Sequence, residues 1–175
     1  MNFTILHRDQ QFEGHAFDVA KLHVRLPDGR ERDYDLVEHS ASVTILPVDE
    51  QGRVYFVTQF RVGSASQLLE LPAGVLEPGE DPLEAAHREV REETGMAARN
   101  MQELGSFYLA PGYTDEYMTI FLATGLYDSP LSPDADEFLN LSTLPVAEAY
   151  RLAQAGGIQD GKTLAALLLA QAHLL

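Results

Sequence analysis

Between Phe17 and Phe60 the chain is written in short apolar runs with the periodicity of strands. Leu22, Val24 and Leu26 alternate with Lys21, His23 and Arg25, the two-residue repeat of a half-buried strand. Pro27-Asp28-Gly29 supplies turn chemistry, and Arg32 to Val37 runs back as a second strand. Ser42 to Val48 is more continuously apolar, Asp49-Glu50-Gln51-Gly52 makes another turn, and Val54 to Phe60 forms a further partner. Together these predict an antiparallel β-meander. Residues 1–16 are mixed and define no element. Gln59-Phe60-Arg61 and a loop of small residues, Val62 to Gln67, lead into Leu68 to Gly74.

The period then changes. Glu77-Pro78-Gly79-Glu80 is a loop, after which Asp81 can cap a helix with Pro82 at its first position and Glu84 three residues beyond the cap. Gly95 is placed to end that helix in a left-handed conformation. At about 100° per residue, Leu83, Ala86, Val90 and Thr94 fall on one narrow stripe, which the spacing assigns to the core. Leu104 to Leu109, a loop at Ala110 to Tyr117 and a strand from Met118 to Thr124 follow, then a polar surface loop over residues 127–137. Two helices finish the chain, Pro145 to Ala155 and Lys162 to Ala172, the second opened by Asp160-Gly161. Strands first, one helix in the middle and helices last describe an α+β fold, read as a single domain over 1–175.

Glu89, Glu92 and Glu93 lie within about a third of the helix circumference, beside the apolar stripe. Like charges one turn apart destabilise a bare helix, so something positive must sit among them. One answer is a solvated acidic face neutralised by Arg88 and Arg91. The other is a hard divalent cation such as Mg²⁺, which takes oxygen ligands and keeps room for waters and substrate phosphates.

Gly74, Glu80, Arg88, Glu89, Val90, Glu92, Glu93, Gly95 and Met96, read in order over 74–96, resemble the Nudix box. The resemblance implies an α/β/α sandwich and a hydrolase that cleaves a nucleoside diphosphate linked to another group, using Mg²⁺ or Mn²⁺. It implies that Glu89, Glu92 and Glu93 bind metal with the Ala73 carbonyl, and that Glu80 and Arg88 form a supporting ion pair. Outside the box, Glu70-Leu71-Pro72-Ala73-Gly74, the loop Ala110-Pro111-Gly112-Tyr113-Thr114-Asp115-Glu116 and Gly157-Ile158-Gln159-Asp160-Gly161-Lys162-Thr163 are similar to segments of the ADP-ribose pyrophosphatase group. Ala110 departs from the serine usual there. By that resemblance Pro111 and Gly112 meet substrate, and Glu116 binds metal or acts as general base, with Asp115 as the alternative. Arg61 reaches phosphate or pairs across subunits, and Phe17, Tyr34 and Tyr113 are candidates for stacking on the base. The expected reaction converts ADP-ribose to AMP and ribose 5-phosphate. The alternatives are the same chemistry on another nucleoside diphosphate sugar, such as GDP-mannose, or a Nudix-fold sensor that binds without cleaving. The group also implies a homodimer that exchanges the N-terminal strands within residues 1–40.

Charge narrows the partners. With 12 Lys+Arg against 27 Asp+Glu the net charge is −15, which excludes a nucleic-acid backbone for want of a basic patch. The same field repels a free diphosphate unless metal ions and a few arginines reverse it locally. No cysteine is present, which suits a cytoplasmic protein, and the N-terminus lacks a signal-like apolar run. Leu164 to Leu175 is too short to span a bilayer and reads as a core helix, so no membrane partner is expected. The six histidines, at 7, 15, 23, 39, 87 and 173, form no ligand spacing and read as structural.

Overall fold

The computed structural model describes residues 2–132 and 138–175, in two units. The first, residues 1–41 and 107–117, contains the antiparallel sheet β1 (Thr4–Glu13), β2 (Asp18–Arg25) and β3 (Glu31–Glu38), in that order. β2 and β3 pair without interruption from Asp18↔Glu38 to Arg25↔Glu31, around a turn in which Gly29 takes φ 88°. Lys21, His23 and Arg25 meet Asp35, Asp33 and Glu31 across the polar face. β1 is the strand that residues 1–16 did not announce. Its register shifts between Ile5 and His7 and again between Gln10 and Phe12, and each shift resets which side chains share a face. All ten of its residues are exposed, so no burial constraint imposes alternation.

The second unit, residues 42–106 and 118–175, is built on a mixed seven-stranded sheet. Its strands are β4 (Ser42–Val48), β5 (Arg53–Arg61), β6 (Ser66–Glu70), β7 (Ala73–Val75), β8 (Met96–Tyr108), β9 (Tyr117–Asp128) and β10 (Asn140–Pro145). The order is β10-β5-β4-β9-β8, with β6 on β5 and β7 on β4. The N-terminal meander is therefore confined to β1-β2-β3, whereas β4 and β5 belong to this sheet. β4 runs parallel to β9, from Ser42↔Met118 to Val48↔Thr124, and all seven of its residues are buried. One face, Val43 and Ile45, packs with Ala85, Ala86 and Val90 of α1 (Pro82–Thr94). The opposite face, Thr44 and Leu46, is equally buried, and α3 (Gly161–Leu174) also packs on β4. α2 (Val146–Gln154) is tied to α3 by the Tyr150 hydroxyl, which donates to the Leu167 carbonyl at 2.7 Å. Helices on a mixed sheet give the expected α+β sandwich.

α1 begins and ends where its local chemistry places it. Asp81 accepts from Leu83 N–H at 2.9 Å, Pro82 opens the first turn, and Gly95 turns left-handed at φ 74°. Its buried face differs from the expected stripe. Leu83 is 42% exposed, and Ala85, Glu89 and Glu93 join Ala86, Val90 and Thr94 inside. The cause lies in β7, which holds both carboxylates against its backbone. β8 begins eight residues before the expected segment at Leu104; as the edge strand it carries the polar Arg99, Asn100, Gln102 and Glu103, which blunt an open edge and hide its pattern. The loop expected over 127–137 begins inside β9, and residues 133–137 lie outside the described residues.

Candidate active site

The site begins with a backbone turn, Glu70 to Gly74. Leu71 N–H donates to the Thr163 hydroxyl at 2.8 Å, and the Pro72 carbonyl accepts from Ile45 N–H at 2.8 Å. Ala73 and Gly74 then pair with Thr44 and Val43. Ala73 N–H donates to Glu93 Oε2 at 3.2 Å. A Cβ built on Gly74 would coincide with the Glu89 carboxylate, so the missing side chain is what admits that group. Both glutamates are buried, at 6% and 7% exposure.

Arg88 organises the neighbouring charge. Its Nε and Nη2 each donate to Glu80 at 2.9 Å, a bidentate pair that ties the loop before the helix to the helix itself. Its Nη1 donates to Glu89 Oε1 at 2.6 Å and to Glu92 Oε2 at 2.9 Å. Arg91 instead donates to the Ser129 carbonyl at 3.0 Å. The Glu80 pair first, with Glu89 and Glu92 adding to it, holds the Arg88 guanidinium well above its ordinary value. In turn Arg88 holds the Glu80 carboxyl below its usual range. A depressed folded-state value means that the stabilisation is complete above the unfolded pKa of about 4.3 and is lost as pH falls through the folded value. The Glu80 carboxyl carbon, followed by NMR, is therefore expected to titrate below that reference, and Arg88→Gln is expected to move its midpoint up.

Three carboxylates and a backbone carbonyl are hard oxygen donors, the chemistry that Mg²⁺ and Mn²⁺ take. Among the described residues no three carboxylate or imidazole side chains converge at ligating geometry, and Arg88 Nη1 bridges Glu89 and Glu92 instead. That guanidinium nitrogen marks where the cluster requires positive charge. As donor types, carboxylate and carbonyl oxygens suit a divalent cation, while as the side chains stand it is Arg88 that supplies the positive charge among them.

Arg61, at the end of β5, donates from Nε and Nη2 to the two oxygens of Glu70 at 2.8 and 2.7 Å. Glu70 is wholly buried; burial pushes its carboxyl up, but Arg61 and Lys162 outweigh that and hold it below the ordinary value. In the sequence Glu70 and Lys162 stand out only as parts of motifs. Their pairing joins positions far apart in the chain, and no local pattern announces it.

In the other unit, the loop after β8 is fastened to β3. Val37 N–H donates to the Tyr113 carbonyl at 2.8 Å, and Asp115 Oδ1 accepts from His39 N–H at 2.9 Å. Asp115, the alternative base, is thus turned onto backbone. Glu116 lies beside it, its side chain 22% exposed and 3.9 Å from His39 Nδ1. Pro111 and Gly112 line an open groove of about 490 Å³ with Tyr34, Tyr113, Leu22 and Val24. Phe17 is not among its lining residues; it packs against Phe12, ring centroids 6.5 Å apart.

Residues 38–167 match the family model described as NUDIX domain. The chain is 34% identical over 158 residues to an ADP-ribose pyrophosphatase of Bacillus subtilis (strain 168), covering 89% of this chain and 85% of that protein. It is also 34% identical over 131 residues to a GDP-mannose pyrophosphatase of Yersinia enterocolitica, covering 70% and 68%. A crystal structure of an ADP compounds hydrolase superposes with TM-score 0.89 at 27% identity, covering 99% of this chain and 95% of that one.

Proposed function

The chain belongs to the Nudix family, and from that premise we propose that it hydrolyses the diphosphate bond of ADP-ribose, giving AMP and ribose 5-phosphate. The observation that carries the reading is the pair of buried carboxylates, Glu89 and Glu93, laid against the backbone of Ala73 and Gly74. Glu89, Glu92 and Glu93, with the Ala73 carbonyl, would hold Mg²⁺ or Mn²⁺. A divalent cation there supplies the positive charge that offsets the substrate's diphosphate and the charge developing in the transition state.

The remaining work falls to the chain. Ala73 N–H fixes the rotamer of Glu93, and Arg88 fixes Glu89 and Glu92 while its other edge anchors Glu80. Glu116 is the group proposed to accept the proton of the attacking water at a carboxylate oxygen, with a box glutamate able to substitute. Pro111 and Gly112 are the residues proposed to contact the substrate, and Arg61, whose Nε and Nη2 hold Glu70, is proposed to reach its phosphates. The proposed assembly is a cytoplasmic homodimer exchanging strands within residues 1–40; the exposed Phe3, Ile5 and Phe12 of that segment support it. No helix among the described residues is long and apolar enough to cross a membrane.

A panel of nucleoside diphosphate compounds assayed with Mg²⁺ and with Mn²⁺, products separated by chromatography, tests the reading. ADP-ribose is expected to release AMP, and a chelator to abolish the release. Preference for GDP-mannose would move the assignment to the activity named for the Yersinia relative. Binding of ADP-ribose without release would make the protein a sensor. Glu116→Gln is expected to lower kcat roughly a hundredfold, less than Glu93→Gln. A loss equal to or above that of Glu93→Gln would make Glu116 the principal base.

A further inference from the structure

The turn that carries Ala73 and Gly74 starts from a carboxylate with no solvent exposure. Besides Arg61, Glu70 is paired through Oε2 with Lys162, in the first turn of α3, whose side chain is 10% exposed. Lys162 Nζ also lies 3.0 Å from Asp160 Oδ1. Asp160 caps α3, its Oδ2 accepting from Thr163 N–H at 3.0 Å and from the Thr163 hydroxyl at 2.6 Å. That hydroxyl accepts in turn from Leu71 N–H. Charge, cap and backbone amide thus form one closed circuit between α3 and the start of the turn.

Burying such charges is costly, and well-packed apolar residues of similar volume would often be as stable or more so. What the circuit supplies is definition of geometry. Every residue that follows Glu70 has a partner: Leu71 on Thr163, Pro72 on Ile45, Ala73 on Glu93, and Gly74 beneath the Glu89 carboxylate. We propose that Lys162 is a positioning residue for the hydrolytic site, acting through Glu70 to fix the Leu71–Gly74 backbone on which Glu93 and Glu89 rest. The kinetic part of this inference rests on the hydrolase reading above; the structural part does not.

Lys162→Met is expected to lower kcat by about 10- to 100-fold, as loss of an outer-shell partner does at metal sites, with KM changed by less than about threefold. In the same variant the Leu71 and Ala73 amides are expected to exchange faster with deuterium, while Ile120 and Phe121 in the sheet core keep their protection. Because the effect passes through Glu70, adding Lys162→Met to Glu70→Gln is expected to cost less than about a further threefold. Lys162→Arg, which keeps the charge, is expected to restore most of the rate. If Lys162→Met does not fold, Thr163→Val is the second probe; it leaves the ion pairs in place and should loosen the same two amides with a loss in kcat. Unchanged exchange at Leu71 and Ala73, or rate losses that multiply in the double variant, would overturn the proposal and leave Lys162 a stabiliser of α3. The exchange measurement needs no substrate. An inactive wild-type protein would sink the hydrolase reading, and the two amides would still decide the role of Lys162.

Discussion

Glu93→Gln is expected to lower kcat roughly a thousandfold and to leave the protein folded, with its melting temperature within a few degrees of wild type. The amide is isosteric with the carboxylate, and its oxygen can still accept the Ala73 N–H bond that fixes the rotamer. What disappears is a negative charge in a cluster that also contains Glu89 and Glu92. For the folded protein the net change is small, since the like-charge repulsion relieved, a few tenths of a kcal/mol per pair, opposes the attraction to Arg61 that is lost. For a bound divalent cation it removes a ligand charge where several kcal/mol of transition-state stabilisation is at stake. About 4 kcal/mol corresponds to a factor of roughly a thousand in rate. Steady-state kinetics over a Mg²⁺ titration, alongside thermal melts, checks both halves. Near-normal turnover would remove the box carboxylates from the chemistry.

The second large effect is expected at Gly74, where an added methyl group meets the Glu89 carboxylate rather than open space. Gly74 is not in the left-handed region, so Gly74→Ala acts by collision and not by backbone strain. Either Glu89 swings away from β7 or β7 is forced from its pairing with Val43. Overpacking of this kind costs about 1–3 kcal/mol of stability. If Glu89 is the metal ligand proposed above, disturbing its backbone support is expected to cost about 10- to 100-fold in rate or metal affinity. Gly74→Ala is therefore expected to be both less stable in urea and about a hundredfold slower. Adding Glu89→Asp, a shorter side chain, should recover stability without recovering rate. Wild-type stability and rate in Gly74→Ala would mean that Glu89 rests elsewhere.

The parts of this molecule that were legible in its sequence are those whose signals are local. α1 is bounded by Asp81, Pro82 and Gly95, each acting within a few residues of itself. Ser42 to Val48 reads as a strand because burial on both faces leaves an unbroken apolar run. The Glu80–Arg88 pair, implied by the resemblance over 74–96, joins residues only eight apart along loop and helix. β1 escaped because two register shifts scramble its alternation, and β8 because an edge strand tolerates polar residues on both faces. Leu83 was misplaced because helical periodicity assumes that only apolar groups are buried, whereas Glu89 and Glu93 are drawn inward by the β7 backbone. The roles of Glu70, Lys162 and Asp115 escaped for another reason. Glu70 pairs with Lys162, 92 residues further on, and Asp115 with the His39 amide, 76 residues back, and such pairings exist only after folding.

The parallel alignment of β4 with β9 also sets the order in which the molecule can assemble. Ser42 cannot find Met118 until the whole of the intervening chain, α1 included, has been synthesised and brought round. Closing so long a loop is entropically uphill before any contact repays it, which slows two-state folding relative to proteins of local topology. During translation β4 therefore emerges well ahead of its parallel neighbour, and that edge stays unpaired even after β5, β7 and α1 have followed it. A chain stalled on the ribosome before residue 118 is expected to keep that one edge open, the kind of unpaired strand edge that makes folding intermediates aggregation-prone.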